Sequence, residues 1–498
     1  MSELMTDRFA LGNGSTPACN TAAQVFCGGD LQGIIDELDY IQGMGFDAVW
    51  ISPVSAQILD DTIVGQAYHG YWASDLTKLG PSPTALQALS SALHDRSMAL
   101  MLDVVVNHVA FALAVSTSQF DPAVGQSSTG EMDGVYGPFD LPTDYHMLAC
   151  TIEDGNQTSV EQCWLEPTGS VITPDLNTSS SKIQNALYTN VRNIVQTYAI
   201  DGIRIDAAMH VEKPFLKGFE TNAGVFCMGE VLNGDPLYVN DYQASALSST
   251  LNYPMYFTLT QAFSDTSGSM LNLANMISTI SYWFDDSTVL GGFASNHDMP
   301  RPRSMTTDDA LLKNMFTYSF VADGIPIWYY GDEQNASGGS DPSNREALWT
   351  LGDEPYDTSS TLYDYVTRMN AVRKAAAGAS LTFYTTKASV LIQTTHSIAI
   401  SKYPLLSVLT NQGSAQSGTE SLTIQTAYQP ESMVVDVLSC VLSQVDSSGS
   451  LTVHINYGQP QVFMPLTSIA LDPPFCADVA SYLTCQDRIA SRAWRGGV

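Results

Sequence analysis

The run DGIRIDAAMH, residues 201–210, sets Arg204 and Asp206 two positions apart in an apolar stretch. In a strand, residues i and i+2 share a face, so these two charges point together while Ile203 and Ile205 point the other way. The pair reads either as a structural salt bridge or as a carboxylate held ready for chemistry. Other apolar runs end on polar groups in the same manner. Asp103, then Asn107 and His108, close MALMLDVVV; Glu230 closes GVFCMGE; His297 and Asp298 follow LGGFASN. If these runs are successive strands of one sheet, Asp206, Glu230 and Asp298 gather at its C-terminal rim. Cleavage of a glycosidic bond uses two carboxylates whose environments drive their pKa values apart. Arg204 favours the charged form of Asp206, and the neighbouring Val225, Phe226 and Met228 favour a proton on Glu230. A retaining reaction asks for a carboxyl separation of about 5–5.5 Å. Asp298 is then a third carboxylate, holding hydroxyls and a distorted ring.

The elements that must position these groups alternate along the first two-thirds of the chain. LQGIIDELDYIQGMG, ALQALSSALHDR and KIQNALYTNVRNIVQTYA have helical spacing, with further helices near 267–283, 307–320 and 360–375. FDAVWIS, MALMLDVVV, DGIRID, GVFCMGEV, TVLGGFAS and GIPIWYY read as buried strands. Repeated βα units with near-continuous apolar strands predict a parallel sheet covered on both faces, here a (β/α)₈ TIM barrel. Residues 107–175, rich in Ser, Thr, Gly, Asp and Pro, are too long for a βα loop and read as a subdomain inserted after strand three. Beyond about 380 the pattern becomes alternating strands separated by turns, an antiparallel β-sandwich domain. The expected division is a barrel over 1–106 and 176–378, an inserted subdomain over 107–175, a β domain over 379–485 and a polar tail over 486–498.

The 498 residues carry 51 acids against 20 bases, a net charge of −31, with 44% hydrophobic residues. Such a chain is globular and is repelled by nucleic acid and anionic membranes; neutral substrates or bound cations suit it. No run is long and apolar enough to span a bilayer. Cys19 with Cys27 and Cys150 with Cys163 lie close in polar segments without the spacing of a zinc site, and read as disulfide loops of an oxidising compartment. Sequons at Asn13, Asn156, Asn177 and Asn335 agree. MSELMTDRFA lacks signal-peptide character, so the reading is a secreted protein whose leader is absent from this chain.

DVVVNH, DGIRIDAAMH, the GE of CMGEV and FASNHD together resemble the four short motifs of the α-amylase family of glycoside hydrolases, most nearly its secreted fungal Taka-amylase type. The resemblance runs over nearly the whole chain. It implies an endo-acting hydrolase of internal α-1,4 bonds in starch- or glycogen-type glucans, with Asp206 as nucleophile, Glu230 as acid/base and Asp298 as transition-state stabiliser. It implies sugar contacts for His69, Tyr71 and Trp72 of AYHGYW, for His108, Arg204, His210 and His297, and for Asp341 and Arg345 of GGSDPSNRE. Tyr71 would stack on the reacting sugar; a core aromatic cluster or a loop salt bridge is the plainer reading of these groups. A Ca²⁺ ion is implied, held by Asn107, Glu161, Asp175 and the His210 carbonyl, as are a monomeric state and a Cys440–Cys476 disulfide.

The chain departs from the family pattern in three places. Met209 stands where relatives carry lysine, on the acceptor side of the cleft, which leaves open a 4-α-glucanotransferase. Cys227 and Cys485 lack their usual partners and are expected to be free. The first strand looks short, which keeps a catalytically silent glucan-binding or cell-wall protein as a further alternative. No lipid anchor is expected.

Overall fold

The computed structural model describes residues 1–469 apart from 60, 113–119, 122–125, 128–137, 140, 147–149 and 417, together with 476 and 479. Eight parallel strands form a closed ring. They are β1 (Ser2–Leu4), β2 (Ala48–Ile51), β3 (Ala99–Val104), β4 (Gly202–Ile205), β5 (Phe226–Gly229), β6 (Ser249–Thr250), β7 (Gly291–Gly292) and β8, split into Ile325–Pro326 and Trp328–Tyr329. Strands β1 to β6 pair in chain order, a Leu251–Gly291 bridge joins β6 to β7, and β7 pairs β8. The short β1 closes the ring: Ser2 lies opposite Val49 of β2 and Trp328 of β8. The expected barrel is therefore present, and β1 is hydrogen-bonded on both sides.

Alternation along the strands sorts the residues into two layers. Val49, Leu102, Ile203 and Ile205 pack outward in the main core against the helices, whereas Trp50, Met101, Met228, Phe293 and Ile327 form a second cluster on the other face. The helix Ser181–Tyr198 shows why such helices dock. Ile183, Leu187, Val191 and Val195 recur every fourth residue and are buried as one stripe. Ala199 then ends the helix in a left-handed turn (φ 49°) and the chain passes directly into β4.

Between β3 and that helix lies the inserted region. Its described parts include a short pairing of Phe111–Ala112 with Val171–Ile172, the helix Gln157–Gln162 and a Cys150–Cys163 disulfide. The C-terminal domain has β9 (Ser389–Gln393), β10 (Ser397–Lys402), β11 (Leu405–Thr410), β12 (Glu420–Gln425), β13 (Met433–Asp436), β14 (Val441–Gln444), β15 (Ser450–Ile455) and β16 (Gln461–Pro465). Six of these form one antiparallel sheet in the order β9-β10-β11-β16-β13-β14, and β12 pairs with β15. Leu406, Val408, Leu422, Ile424, Leu451 and Val453 share a core between the two, a sandwich as expected.

The Cys19–Cys27 and Cys440–Cys476 disulfides are also closed, and Cys227 is buried and free. Cys485 and the expected tail lie outside the described residues. No helix among the described residues is long and apolar enough to cross a membrane.

Candidate active site

The predicted strand ends meet at one rim, though not on four successive strands. Asp103 lies on β3, Arg204 and Asp206 at β4, Glu230 just after β5, and His297 and Asp298 beyond β7; β6 intervenes. Arg204, 0% exposed, is the hub. Its Nη1 donates to both Asp103 oxygens at 2.9 and 3.0 Å and to Asp206 Oδ1 at 2.8 Å. Its Nη2 forms an ion pair with Glu230 Oε2 at 2.9 Å. One guanidinium thus serves three carboxylates, so it cannot neutralise them all. Burial, with the charges of Glu230 and Asp103 added, pushes the Asp206 carboxyl up to about 8 against the pull of Arg204. This corrects the expectation that Arg204 holds Asp206 in its charged form: the cation is shared among three carboxylates, burial outweighs it, and the Asp206 carboxyl takes up its proton in the neutral range.

Backbone geometry fixes Glu230. Ala207 adopts a left-handed conformation (φ 48°) directly after Asp206, which aims its N–H at Glu230 Oε2 (2.9 Å). Such a conformation costs a non-glycine residue about 1–3 kcal/mol and tends to occur at functional sites. Tyr253 donates to Glu230 Oε1 at 3.4 Å.

Asp298 sits between two cationic groups. His297 Nε2 lies 3.1 Å from Oδ2 and Arg345 Nη2 lies 3.3 Å from Oδ1. Burial works to raise its pKa, but His297, Arg345 and Arg204 together outweigh that and hold it below the usual value. Arg345 also pairs with Asp341 at 3.0 Å, so the loop salt bridge exists and reaches the third carboxylate as well.

A cleft of about 590 Å³ opens over this floor. Asp206, Glu230 and Asp298 all line it, and so do His69, Tyr71, Trp72, His108, Met209, His210, His297, Asp341 and Arg345. Every residue predicted to touch sugar is therefore in its wall except Arg204, which lies beneath. The Tyr71 ring runs parallel to the His297 ring, with centroids 5.3 Å apart, and its hydroxyl donates to Asp103 Oδ2 at 2.8 Å. His108 Nε2 is engaged by the Tyr71 carbonyl at 3.1 Å, and burial lowers its pKa to about 4, so the ring is neutral. Burial, with Arg345 and His297 nearby, likewise keeps His69 uncharged. Gln24, Tyr68, Leu165, Glu166, Thr173 and Leu232 also line the cleft and were not singled out from sequence. They sit in loops without strand or helix period, where only folding brings them near the rim.

The implied calcium ligands lie beside the cleft. Asp175 is buried; Oδ1 takes a 2.6 Å bond from His146 Nδ1, while Oδ2 has no protein partner. Leu176 N–H donates to the Asn107 carbonyl at 2.8 Å, and a bridge pairs His108 with Asp175, which sets Asn107 beside that carboxylate. Glu161 Oε1 accepts from Gln157 at 2.7 Å, and His210 Nδ1 donates to the Val160 carbonyl at 2.9 Å, tying the His210 turn to the helix that carries Glu161. Among the described residues no group of three or more acidic, His or Cys side chains is spaced for a metal. Two carboxylates, an amide and a carbonyl are nonetheless hard oxygen donors of the kind Ca²⁺ takes, and the orphaned Asp175 oxygen is what a cation would satisfy.

Fold and rim together define a glycoside hydrolase built on a (β/α)₈ barrel. Comparison with known proteins is specific. Residues 3–380 match the family described as "Alpha amylase, catalytic domain", and residues 384–480 match "Alpha-amylase, domain C". The chain is similar to Alpha-amylase 2 of Schwanniomyces occidentalis, 43% identical over 476 residues that cover 94% of this chain and 90% of that protein. It is also similar to Alpha-amylase of Saccharomycopsis fibuligera, 40% identical over 472 residues covering 93% and 90%. The solved structure of an alpha-amylase from Malbranchea cinnamomea superposes with a TM-score of 0.87 at 39% identity, covering 95% of this chain and 97% of that one. The chain belongs to the alpha-amylase family.

Proposed function

We propose that this chain is an endo-acting α-amylase that hydrolyses internal α-1,4 bonds of starch- or glycogen-type glucans by double displacement with retention. The observation that carries this is the pair Asp206 and Glu230, held on two nitrogens of one buried guanidinium at the floor of a cleft whose wall holds Asp298. In its ionised form Asp206 attacks the anomeric carbon as the leaving oxygen takes the proton of Glu230. The glycosyl–enzyme ester is then opened by water, from which Glu230 recovers a proton. Asp298, kept ionised by His297 and Arg345, holds hydroxyls of the distorted ring. Tyr71, Trp72 and His69 offer ring surface to the sugar, and Met209 gives the acceptor side an apolar edge.

A defined maltooligosaccharide tests the reading. Shorter products with new reducing ends are the expected outcome. Products longer than the substrate identify the transferase that Met209 leaves open, and unchanged substrate over long incubation identifies a silent glucan-binding protein.

The same reading assigns Ca²⁺ to Asn107, Glu161, Asp175 and the His210 carbonyl. The ion would fasten the inserted region to the barrel beside the cleft. Chelation is expected to lower the melting temperature of the wild type by several degrees and that of Glu161→Ala by less. Three closed disulfides and the exposed sequons Asn13, Asn156 and Asn335 support a secreted, glycosylated protein, which the reading takes as a monomer. The net charge of −31 favours a neutral glucan over nucleic acid or anionic membrane as its partner.

A further inference from the structure

We infer that Glu3, on the first barrel strand, is a positioning residue for this reaction: it holds His297 as an imidazolium whose Nε2–H is turned toward Tyr71 and Asp298. Glu3 is 2% exposed. Its Oε1 lies 2.7 Å from His297 Nδ1 and also accepts the His297 main-chain N–H at 3.2 Å. Burial raises the Glu3 pKa and its bonds from His297 work against that; as a carboxylate, Glu3 has no hydrogen to give and accepts from both the peptide and the ring, so Nδ1 carries hydrogen. On the other side of the ring, Nε2 lies 2.8 Å from the Tyr71 hydroxyl and 3.1 Å from Asp298 Oδ2. The Tyr71 hydrogen is committed to Asp103 Oδ2, which leaves the hydroxyl as an acceptor toward Nε2. With acceptors at both nitrogens, the form that satisfies every contact is the doubly protonated ring.

The chain of contacts runs on: Tyr71 to Asp103, Asp103 to Arg204, Arg204 to Asp206. Glu3 therefore stands at one end of a buried network whose other end is the attacking carboxylate. The ionisable groups facing His297 are Glu3 from β1, Asp298 from its own loop, Tyr71 and His69 from the AYHGYW run, Arg204 from β4, and Arg345, whose Nε donates to the His297 carbonyl at 3.0 Å. Burial disfavours a charged ring, but Asp298 and Glu3 prevail and raise its pKa to about 8. Glu3 Oε2 has no partner, so the His297 ring is the cation that balances this carboxylate among the described residues.

The inference rests on the amylase reading only for the use made of Asp298; its deciding measurement, the titration of His297, needs no substrate. The imidazole resonance of His297, assigned by its loss in His297→Asn, is followed from about pH 5 to about pH 9 in the wild type and in Glu3→Gln. The expected wild-type midpoint lies near 8. Glu3→Gln keeps the shape and an accepting oxygen but not the charge, and its midpoint is expected to fall by about one unit or more. The alkaline limb of kcat/KM should move down by the same amount, with kcat changing more than KM. A wild-type midpoint below about 6, or one that Glu3→Gln leaves in place, overturns the inference. Should Glu3→Gln not fold, the wild-type midpoint decides alone.

Discussion

The catalytic rim and the C-terminal β domain bury their side chains on opposite principles. In the β domain, Leu422 and Ile424 of β12 point inward while Ser421, Thr423 and Gln425 face solvent, and the two sheets share a cluster of aliphatic and aromatic side chains. At the rim, Asp103, Arg204, Asp206 and Glu230 are all at most 8% exposed. Burying unlike charges recovers their desolvation only when the pairing is close and complete, and three carboxylates on one guanidinium leave it incomplete. The β domain gains stability from burial. The rim gives some up, and what it obtains is a carboxyl, Asp206, that holds its proton near neutrality.

Substitutions can break that contrast from either side. Asp206→Asn removes the attacking oxygen and is expected to lower kcat by about 10⁴-fold or more, by analogy with loss of a nucleophile in other hydrolases. Its melting temperature should stay the same or rise, because a buried carboxyl crowded by Glu230 and Asp103 has gone. Reducing-sugar release and calorimetry on one preparation check both halves. Leu406→Ala in β11 should do the converse. It costs about 2–5 kcal/mol by leaving a cavity in the sandwich core, read as a lower melting temperature, with kcat on a short oligosaccharide unchanged.

A smaller effect sharpens the comparison through pH. The folded pKa values of Asp206 and His297 are both raised to about 8. A raised group stabilises fully below its unfolded value and loses that contribution as pH rises through the folded one. Both groups therefore predict declining stability toward pH 8, with the His297 share on the order of 2 kcal/mol lost between about 6.5 and 8. Denaturant midpoints at several pH values should fall in the wild type and less in Asp206→Asn. A β-domain variant such as Leu406→Ala should keep the full slope.

What was legible in the sequence follows the same division. Strands β2 to β5 announce themselves as apolar runs that end on polar groups, and the alternation of β9 to β13 and β15 is plain. Strand β6 was missed because its residues are Ser249 and Thr250, both 0% exposed yet polar. Ser249 is satisfied by donating to the Val289 carbonyl at 2.7 Å, a contact that no local pattern announces. The helices Lys213–Ala223, Pro236–Ser245 and Tyr253–Phe263 were not foreseen, although each begins with proline in its first turn. In the β domain the edge strand β14 and the late strand β16 escaped. At the site, Glu3 had no visible partner in a three-residue strand, since His297 lies 294 positions away. Asp103 was noticed as a strand end, but its place beneath Tyr71 and Arg204 became clear only in three dimensions.

The closure of the ring by β1 has a consequence for how the molecule comes into being. Ser2 and Glu3 find one neighbour in β2 but the other only in Trp328 and Tyr329. On a ribosome adding about 5–20 residues per second, the leading strand waits on the order of tens of seconds with one side unpaired. The acid that later steadies His297 spends that interval without its histidine, so the active centre is among the last parts of the barrel to come together.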